Sequence, residues 1–329
     1  MNKIRSIKSI KKIKLNLFDL KPKKSLLKIL DFYNYELSKV FTKKGKPIKK
    51  YFEVISCPIC CNEDSDVITK IDNFEYNRCS SCKAIYNKMM LKNSFLEEMY
   101  SSGIYKNYFK TFVMKSQKLR KNTLERRKVM QLSSFFKKPG KLLDVGCGSG
   151  SLLKECKDIG WDVQGLDPSS TAVKVAKKKY GIDVFQTTFE KFQTKIKFDC
   201  IVFIGIEHLQ DPLGAIAKAK KLLNKNGIIF FETPSADSFL MKFVTKYPFS
   251  ATRFIESGRH YLFFSIETIK FIVKKFNMSL EHYETNGLDI QTILLKKFDK
   301  ISTDKILDMQ DIINDINLGD HYRVFLKKK

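Results

Sequence analysis

This sequence is short of arginine. Of its 61 basic residues eight are arginine, against 35 acidic residues, so the net charge of +26 is carried almost entirely by lysine. Lysine is a hydrated point charge and lacks the bidentate fork that phosphate and base recognition favours. The charge alone therefore reads as solubility and an A/T-rich coding bias, with an anionic membrane surface or RNA as the alternatives. Long apolar runs are also missing: no stretch of 18 or more uncharged apolar residues occurs, which argues against a membrane-spanning helix. Lysines interrupt the N-terminal region every few positions, where a secretory signal would need an apolar run and a small-residue cleavage site. A cytoplasmic location is the expectation. Histidine occurs only four times, so few side chains could act as a base near neutral pH.

At 329 residues, with 43% hydrophobic and 12% aromatic content, the chain can bury a substantial core and has room for about two folding units. Residues 1–50 hold 16 Lys/Arg against three acids. Within them Leu26, Leu30, Tyr33, Leu37, Val40 and Phe41 share one face of an amphipathic helix entered after Pro22. Such a basic segment either docks on its own protein or makes a peripheral contact with an anionic membrane. Residues 51–90 form a cysteine module, and 91–140 read as a helical connector, with Phe95, Leu96, Met99 and Tyr100 on one face and a further helix from Phe112 to Phe136. From Lys141 short apolar runs alternate with helical patterns over residues 141–300, which predicts a doubly wound, mostly parallel α/β sheet. Residues 301–329 read as a helix (Ile306, Met309, Ile313, Ile316) followed by a short edge strand, His321–Leu326.

The segment Lys141-Leu-Leu-Asp-Val-Gly-Cys-Gly-Ser-Gly150 carries the most information. An apolar strand ends in glycines at 146, 148 and 150, and a helix with Leu152, Leu153 and Cys156 follows. Glycines let the backbone turn sharply and let a ligand press against the main chain. A dinucleotide fingerprint needs glycine or alanine at the sixth position of G-x-G-x-x-G, where Ser151 stands here. The pattern is instead G-x-G-x-G with Asp144 two residues ahead of it. A second strand, Asp162–Leu166, ends in Asp167, 23 residues after Asp144, where a carboxylate can accept both hydrogen bonds of a ribose diol. Pro168 and Ser169 start the next helix. Ile182–Phe185, the run from Phe198 to Pro212, and Gly227–Phe231 supply strands three to five.

Taken together these pieces resemble class I S-adenosylmethionine-dependent methyltransferases, a Rossmann-like fold. The glycine turn resembles the family's motif I, Thr188-Phe189-Glu190 its adenine-edge segment, and Glu207-His-Leu-Gln-Asp-Pro212 the turn after its fourth strand. The resemblance implies S-adenosyl-L-methionine as cofactor, held by Asp144, Gly146, Cys147, Gly148, Gly150, Asp167, Pro168 and Glu190.

Cys57-Pro-Ile-Cys60 and Cys79-Ser-Ser-Cys82 are two C-x-x-C knuckles with 18 residues between them. Two facing knuckles complete a tetrahedral four-thiolate site suited to a structural Zn²⁺. A ribbon without metal and redox-active thiols are the alternatives. Such knuckles usually carry glycine after the second cysteine, where φ is positive; Cys61 and Lys83 stand there, and Cys61 competes with Cys60 as ligand. The stretch from Ile55 onward resembles zinc ribbons fused in front of bacterial methyltransferases. Cys147, Cys156 and Cys200 read as buried small hydrophobes.

For an acceptor oxygen the obvious base is histidine. His208 follows strand four and His260 lies in Arg259-His-Tyr-Leu-Phe-Phe-Ser265, so these two, with Glu207, are the candidate catalytic residues; each also has a purely structural reading. His282 and His321 are given no role. The resemblance implies a small-molecule or sugar acceptor, with surface polysaccharide or secondary metabolites as settings. An RNA methyltransferase is the runner-up, weakened by the arginine poverty and by Glu207-His-Leu-Gln in place of an Asn/Asp-Pro-Pro-Tyr tetrapeptide. A non-catalytic cofactor-binding scaffold comes third.

Overall fold

A computed structural model of the chain describes residues 35–101, 119–249, 254–294 and 301–329, together with Ile10 and Asn16. The cysteine-bearing part contributes five strands: β1 (Phe52–Val54), β2 (Ser65–Ile71), β3 (Phe74–Cys79), β4 (Ile85–Asn87) and β5 (Met89–Leu91). Helix α1 (Asn93–Ser101) follows, then α2 (Arg126–Ser133), which continues a π-turn over Lys121–Glu125. The predicted helix start near Phe112, like Leu26, Leu30 and Tyr33 of the N-terminal helix, lies outside the described residues. Of that helix the described part runs over 35–38, and Phe41 forms an isolated bridge with Pro47 beyond its end.

The large sheet has seven strands: β6 (Lys141–Val145), β7 (Asp162–Leu166), β8 (Val184–Phe185), β9 (Phe198–Ile204), β10 (Leu223–Pro234), β12 (Met278–Asn286) and β13 (His321–Lys328). The two-residue strand β11 (Leu262–Phe263) belongs elsewhere. In space the order is β12-β13-β10-β9-β6-β7-β8. Strands β6 to β10 pair in parallel, whereas β13 runs antiparallel to both of its neighbours. The sheet is thus the mostly parallel α/β one that the alternation of patterns predicts. One expectation is overturned: the C-terminal strand is not at an edge but lies between β12 and β10, because its apolar residues Val324, Phe325 and Leu326 are covered on both faces.

Crossover helices α3 (Ser151–Asp158), α4 (Ser170–Tyr180) and α5 (Pro212–Leu222) connect the parallel strands. The central strand β9 and the Gly227–Phe231 part of β10 are rich in apolar residues because both faces are buried. Along β9, Ile201 and Phe203 point into one core with Phe231 and Val324, while Cys200 and Val202 point into the other with Leu153 and Phe230. After β10 come α6 (Phe239–Lys246), α7 (Ile266–Lys275), α8 (Asp289–Ile293) and α9 (Thr303–Asp315).

The cysteine-bearing strands do not stand apart from this sheet. β4 pairs with β11, so the small four-stranded sheet, ordered β11-β4-β3-β2, takes one strand from the C-terminal half. Cys57, Cys79, Cys82 and Tyr86 share a core with Ile269 and Ile272 of α7. The end of the basic segment docks as well: Val40 is buried, and the Phe41 ring meets Phe52 and Phe74 at 5.5 and 5.2 Å.

Candidate functional site

From β6 the chain winds to β7 and β8 on one side, then returns to β9 on the other, so the direction of winding reverses between β6 and β9. At such a switch point the loops leaving the carboxyl ends diverge and leave a crevice, the usual ligand position of open α/β sheets. The glycine turn lies there. Gly146, Gly148 and Gly150 have φ of 73°, 54° and 76°, a left-handed conformation that side chains disfavour. The N–H groups of Gly146 and Cys147 both donate to Leu166 O, at 2.8 and 3.0 Å, pinning the turn to the tip of β7. A Cβ on Gly146 or Gly148 would meet no protein atom within 4 Å, so those two positions face open space. A Cβ on Gly150 would lie 3.2 Å from Ala176 Cβ, so this third glycine serves helix packing.

Two aspartates flank the turn. Asp167, at the tip of β7, accepts from Gly148 N through Oδ2 and from Ser169 N through Oδ1, both at 2.8 Å. Burial raises its pKa, against the pull of those two hydrogen bonds. Each carboxylate oxygen keeps a further lone pair, the geometry a vicinal diol requires. Asp144 is 2% exposed, and burial followed by the nearby Glu125 pushes its pKa up to about 8, while Lys128 opposes this. Cys147 is half-buried, Pro168 and Glu190 are exposed, and Cys156 and Cys200 are fully buried as the sequence implied.

Beyond β9 and β10 opens a cavity of about 280 Å³. Glu207 is buried in its wall, and among the described residues its Oε2 finds no hydrogen-bond partner. Its Oε1 lies 3.8 Å from His208 Nε2 and 3.9 Å from His260 Nε2, so the three predicted side chains converge. The His208 and His260 Nδ1 atoms face the carbonyls of Arg259 and Phe254 at 3.3 and 2.7 Å. A carbonyl only accepts, so Nδ1 carries the hydrogen and Nε2 presents a lone pair toward Glu207. Burial pushes Glu207 up to about 8 and His260 down to about 4. His208 is held below the ordinary imidazole range by burial, then by His260 and Arg259, although a third of its ring still meets solvent. A protonated carboxyl beside two neutral imidazoles can donate one hydrogen bond and accept others.

The cavity floor is an ion network. Lys128 of α2 contacts Glu232 at 2.8 Å, Arg323 Nε reaches the same carboxylate at 2.5 Å, and Arg127 forks onto Glu284 at 2.5 and 2.9 Å. Despite burial, Lys128 and Arg323 draw Glu232 down to about 2. The pairs fasten α2 across β10, β12 and β13. Nothing in the local sequence announces them, since Arg127 and Glu284 are 157 residues apart. The sequence reading also missed His321, which starts β13 and lines this cavity. Because β13 runs antiparallel, its first residue sits over the carboxyl ends of its neighbours; the assignment as an edge strand hid this.

The four cysteines pack against α7. The Sγ atoms of Cys57, Cys60, Cys79 and Cys82 are all within 4.8 Å of one another, with Cys57–Cys82 at 3.5 Å and Cys60–Cys79 at 3.4 Å. A tetrahedron with metal–sulfur bonds of about 2.3 Å has edges of about 3.8 Å, so the set fits a four-thiolate metal. Both knuckles close in the same way, Cys61 N on Cys57 O at 2.9 Å and Lys83 N on Cys79 O at 3.2 Å, with Cys61 and Lys83 at φ 60° and 59°. Those are the positive values expected where glycine is usual. The Cys61 side chain is exposed and outside the cluster, which favours Cys60. The Cys57 thiol is held below its ordinary range by Cys82 and by the N–H groups of Cys60 and Ile59.

A switch-point crevice with a glycine turn and two buried aspartates defines a Rossmann-like domain built for a nucleoside-containing cofactor. Comparison with known proteins narrows this: residues 117–283 match the family model described as methyltransferase domain, and the chain belongs to that family. Among curated relatives it is 41% identical over 110 residues to a ubiquinone biosynthesis O-methyltransferase of Pasteurella multocida (strain Pm70), covering 28% of this chain and 46% of that protein. A protein of the same name from Saccharophagus degradans (strain 2-40 / ATCC 43961 / DSM 17024) is 29% identical over 172 residues, covering 46% and 73%. The chain spans about half the length of most of the curated relatives it matches. Among solved structures, the plantazolicin methyltransferase BpumL in complex with SAH aligns at a TM-score of 0.47 and 16% identity, over 70% of this chain and 92% of that one.

Proposed function

We propose that this chain transfers the methyl group of S-adenosyl-L-methionine to the oxygen of a small-molecule acceptor. The carrying observation is the turn itself: Gly146 and Gly148 face open space between Asp144 and Asp167 at the carboxyl ends of β6 and β7. The cofactor supplies an electrophilic methyl group; the chain's residues bind and orient. Asp167 would hold the ribose hydroxyls, the turn would lie against the nucleoside, and Asp144 would face the cationic amino-acid and sulfonium end, with Cys147, Pro168 and Glu190 lining the rim. Glu207, His208 and His260 would bind the acceptor hydroxyl at the far end of the cavity. An oxygen acceptor is supported by the relatives named O-methyltransferases; a sugar hydroxyl fits the same groups. Of the arginines RNA would need, Arg127 and Arg323 are committed to the buried network and Arg259 to Glu256, which weakens the nucleic-acid reading. We further propose a structural Zn²⁺ on Cys57, Cys60, Cys79 and Cys82. Calorimetric titration with S-adenosylhomocysteine tests the cofactor assignment. Asp167→Ala should weaken binding by about 1.5–3 kcal/mol, and unchanged affinity would sink the placement.

A further inference from the structure

The three cavity histidines are not equivalent. His208 and His260 turn Nδ1 to backbone carbonyls, whereas His321 turns Nδ1 to a carboxylate, Asp320 Oδ1, at 2.5 Å. Asp320 is fully buried, and the backbone fixes its orientation: Oδ2 accepts from Leu288 N at 3.0 Å, its own N–H donates to Asp289 Oδ2 at 3.0 Å, and its carbonyl accepts from Ser235 N at 2.8 Å. The turn that holds it leaves no space to spare, since a Cβ on Gly287 would lie 2.5 Å from Asp320 N. The His321 ring packs edge-on against Phe254, at 6.4 Å between centroids, and lines the same cavity as Glu207 and His260.

Resting on the oxygen-acceptor reading above, we propose that the Asp320–His321 pair takes the proton of the acceptor hydroxyl. A carboxylate on Nδ1 fixes the tautomer with the Nε2 lone pair available and stabilises the imidazolium that forms, which a backbone carbonyl does far less well. The acceptor oxygen bonds to the methyl carbon as the carbon–sulfur bond breaks, and its proton passes to His321 Nε2. The positive charge lost from the sulfonium appears on the imidazolium, opposite Asp320. His208 and His260, whose neutral forms are favoured by their surroundings, are weak proton acceptors and are left to bind and orient. The titratable and charged groups that line the cavity with His321 are Asp320, Glu207, Glu256, His208, His260 and Arg120, with Lys128 and Arg323 paired to Glu232.

The test uses the full chain with 4-nitrocatechol, a dihydroxyarene whose phenol and phenolate forms absorb at different wavelengths. Bound beside S-adenosylhomocysteine, the probe should ionise at a lower pH in the wild type than in His321→Gln, by about one pH unit, a tenfold change in the equilibrium. With S-adenosylmethionine, His321→Gln should lower kcat for the probe at least about 100-fold with cofactor affinity within twofold of wild type. Free imidazole should restore part of the rate to His321→Ala, a rescue that a structural role would not produce. Equal ionisation and equal kcat in wild type and His321→Gln would overturn the base assignment while leaving the oxygen-acceptor reading intact. Failure of the probe to bind the wild-type complex would overturn that reading and the proposal with it.

Discussion

Asp144→Asn should make the cofactor-free protein more stable while costing it cofactor affinity. In the folded chain burial raises the Asp144 pKa from 3.8 to about 8. The folded state therefore holds a proton that the unfolded state releases, and this group lowers stability progressively as pH rises from about 4 to about 8. At pH 7 the gap is about three pH units at about 1.4 kcal/mol each, a ceiling of roughly 4 kcal/mol. Relaxation and water entry in an open crevice bring that nearer to roughly 2 kcal/mol. Asparagine keeps the shape and cannot ionise. Thermal unfolding without ligand should therefore show the variant ahead by roughly 4 °C at pH 8 and by much less at pH 5. Calorimetry with S-adenosylmethionine should show at least about tenfold weaker binding, because a cationic ligand loses its counter-charge. For the same reason wild-type affinity should rise with pH up to about 8 and then level off. A variant destabilised equally at both pH values would refute the claim that burial of a charge governs this position.

Gly148→Val should abolish S-adenosylhomocysteine binding in calorimetry, by filling the space that position faces and by straining a backbone at φ 54°. Metal analysis should find one zinc per chain, lost in Cys79→Ser and kept in Cys61→Ser, whose side chain lies outside the cluster. Arg127→Met leaves the buried Glu284 carboxylate only the longer contacts to Arg323 at 3.5 Å and His282 at 3.7 Å, and should cost about 3 kcal/mol in urea unfolding. Full-length protein should not co-sediment with anionic vesicles, since Val40 and Phe41 at the end of the basic segment are spent on the protein's own core; salt-sensitive co-sedimentation would reverse this.

What was legible in the sequence was local. The glycine turn, Asp144 and Asp167 depend on a few consecutive residues whose conformations the residue types dictate, and the two knuckles are likewise written in short spacings. Their burial and bonding follow once β6 and β7 pair. What was not legible depends on partners far along the chain. The place of β13 is set by which strands cover Val324 and Leu326, and a short apolar run before the C-terminus is equally compatible with an edge. The Arg127–Glu284 fork and the β4–β11 pairing have no local signature for the same reason. His321 shows the cost to function: Asp320-His321 is a plain dipeptide until the strand direction carries it over the cavity.

The thiol cluster illustrates how a group that does no chemistry can still bear on it. Four cysteine ligands would leave the proposed metal no open position, so its effect would be mechanical. The contact is specific: Cys82 O accepts from Ser265 Oγ at 3.3 Å and from Thr268 Oγ1 at 2.9 Å, the two residues that form the capping box of α7. At the end of β4, Asn87 N donates to Tyr261 O at 2.9 Å, beside His260. The second knuckle and the strand β4 that follows it therefore hold the two ends of the segment from Tyr261 to Thr268, which directly follows His260. The glycine turn is fastened instead to Leu166 and Asp167, at the carboxyl end of β7. Removing the proposed metal should loosen the proposed acceptor end first, raising KM for the acceptor while S-adenosylhomocysteine affinity holds. That separation would follow from where the hydrogen bonds run: Cys82 O and Asn87 N reach the segment just after His260, whereas the glycine turn is held by Leu166 and Asp167.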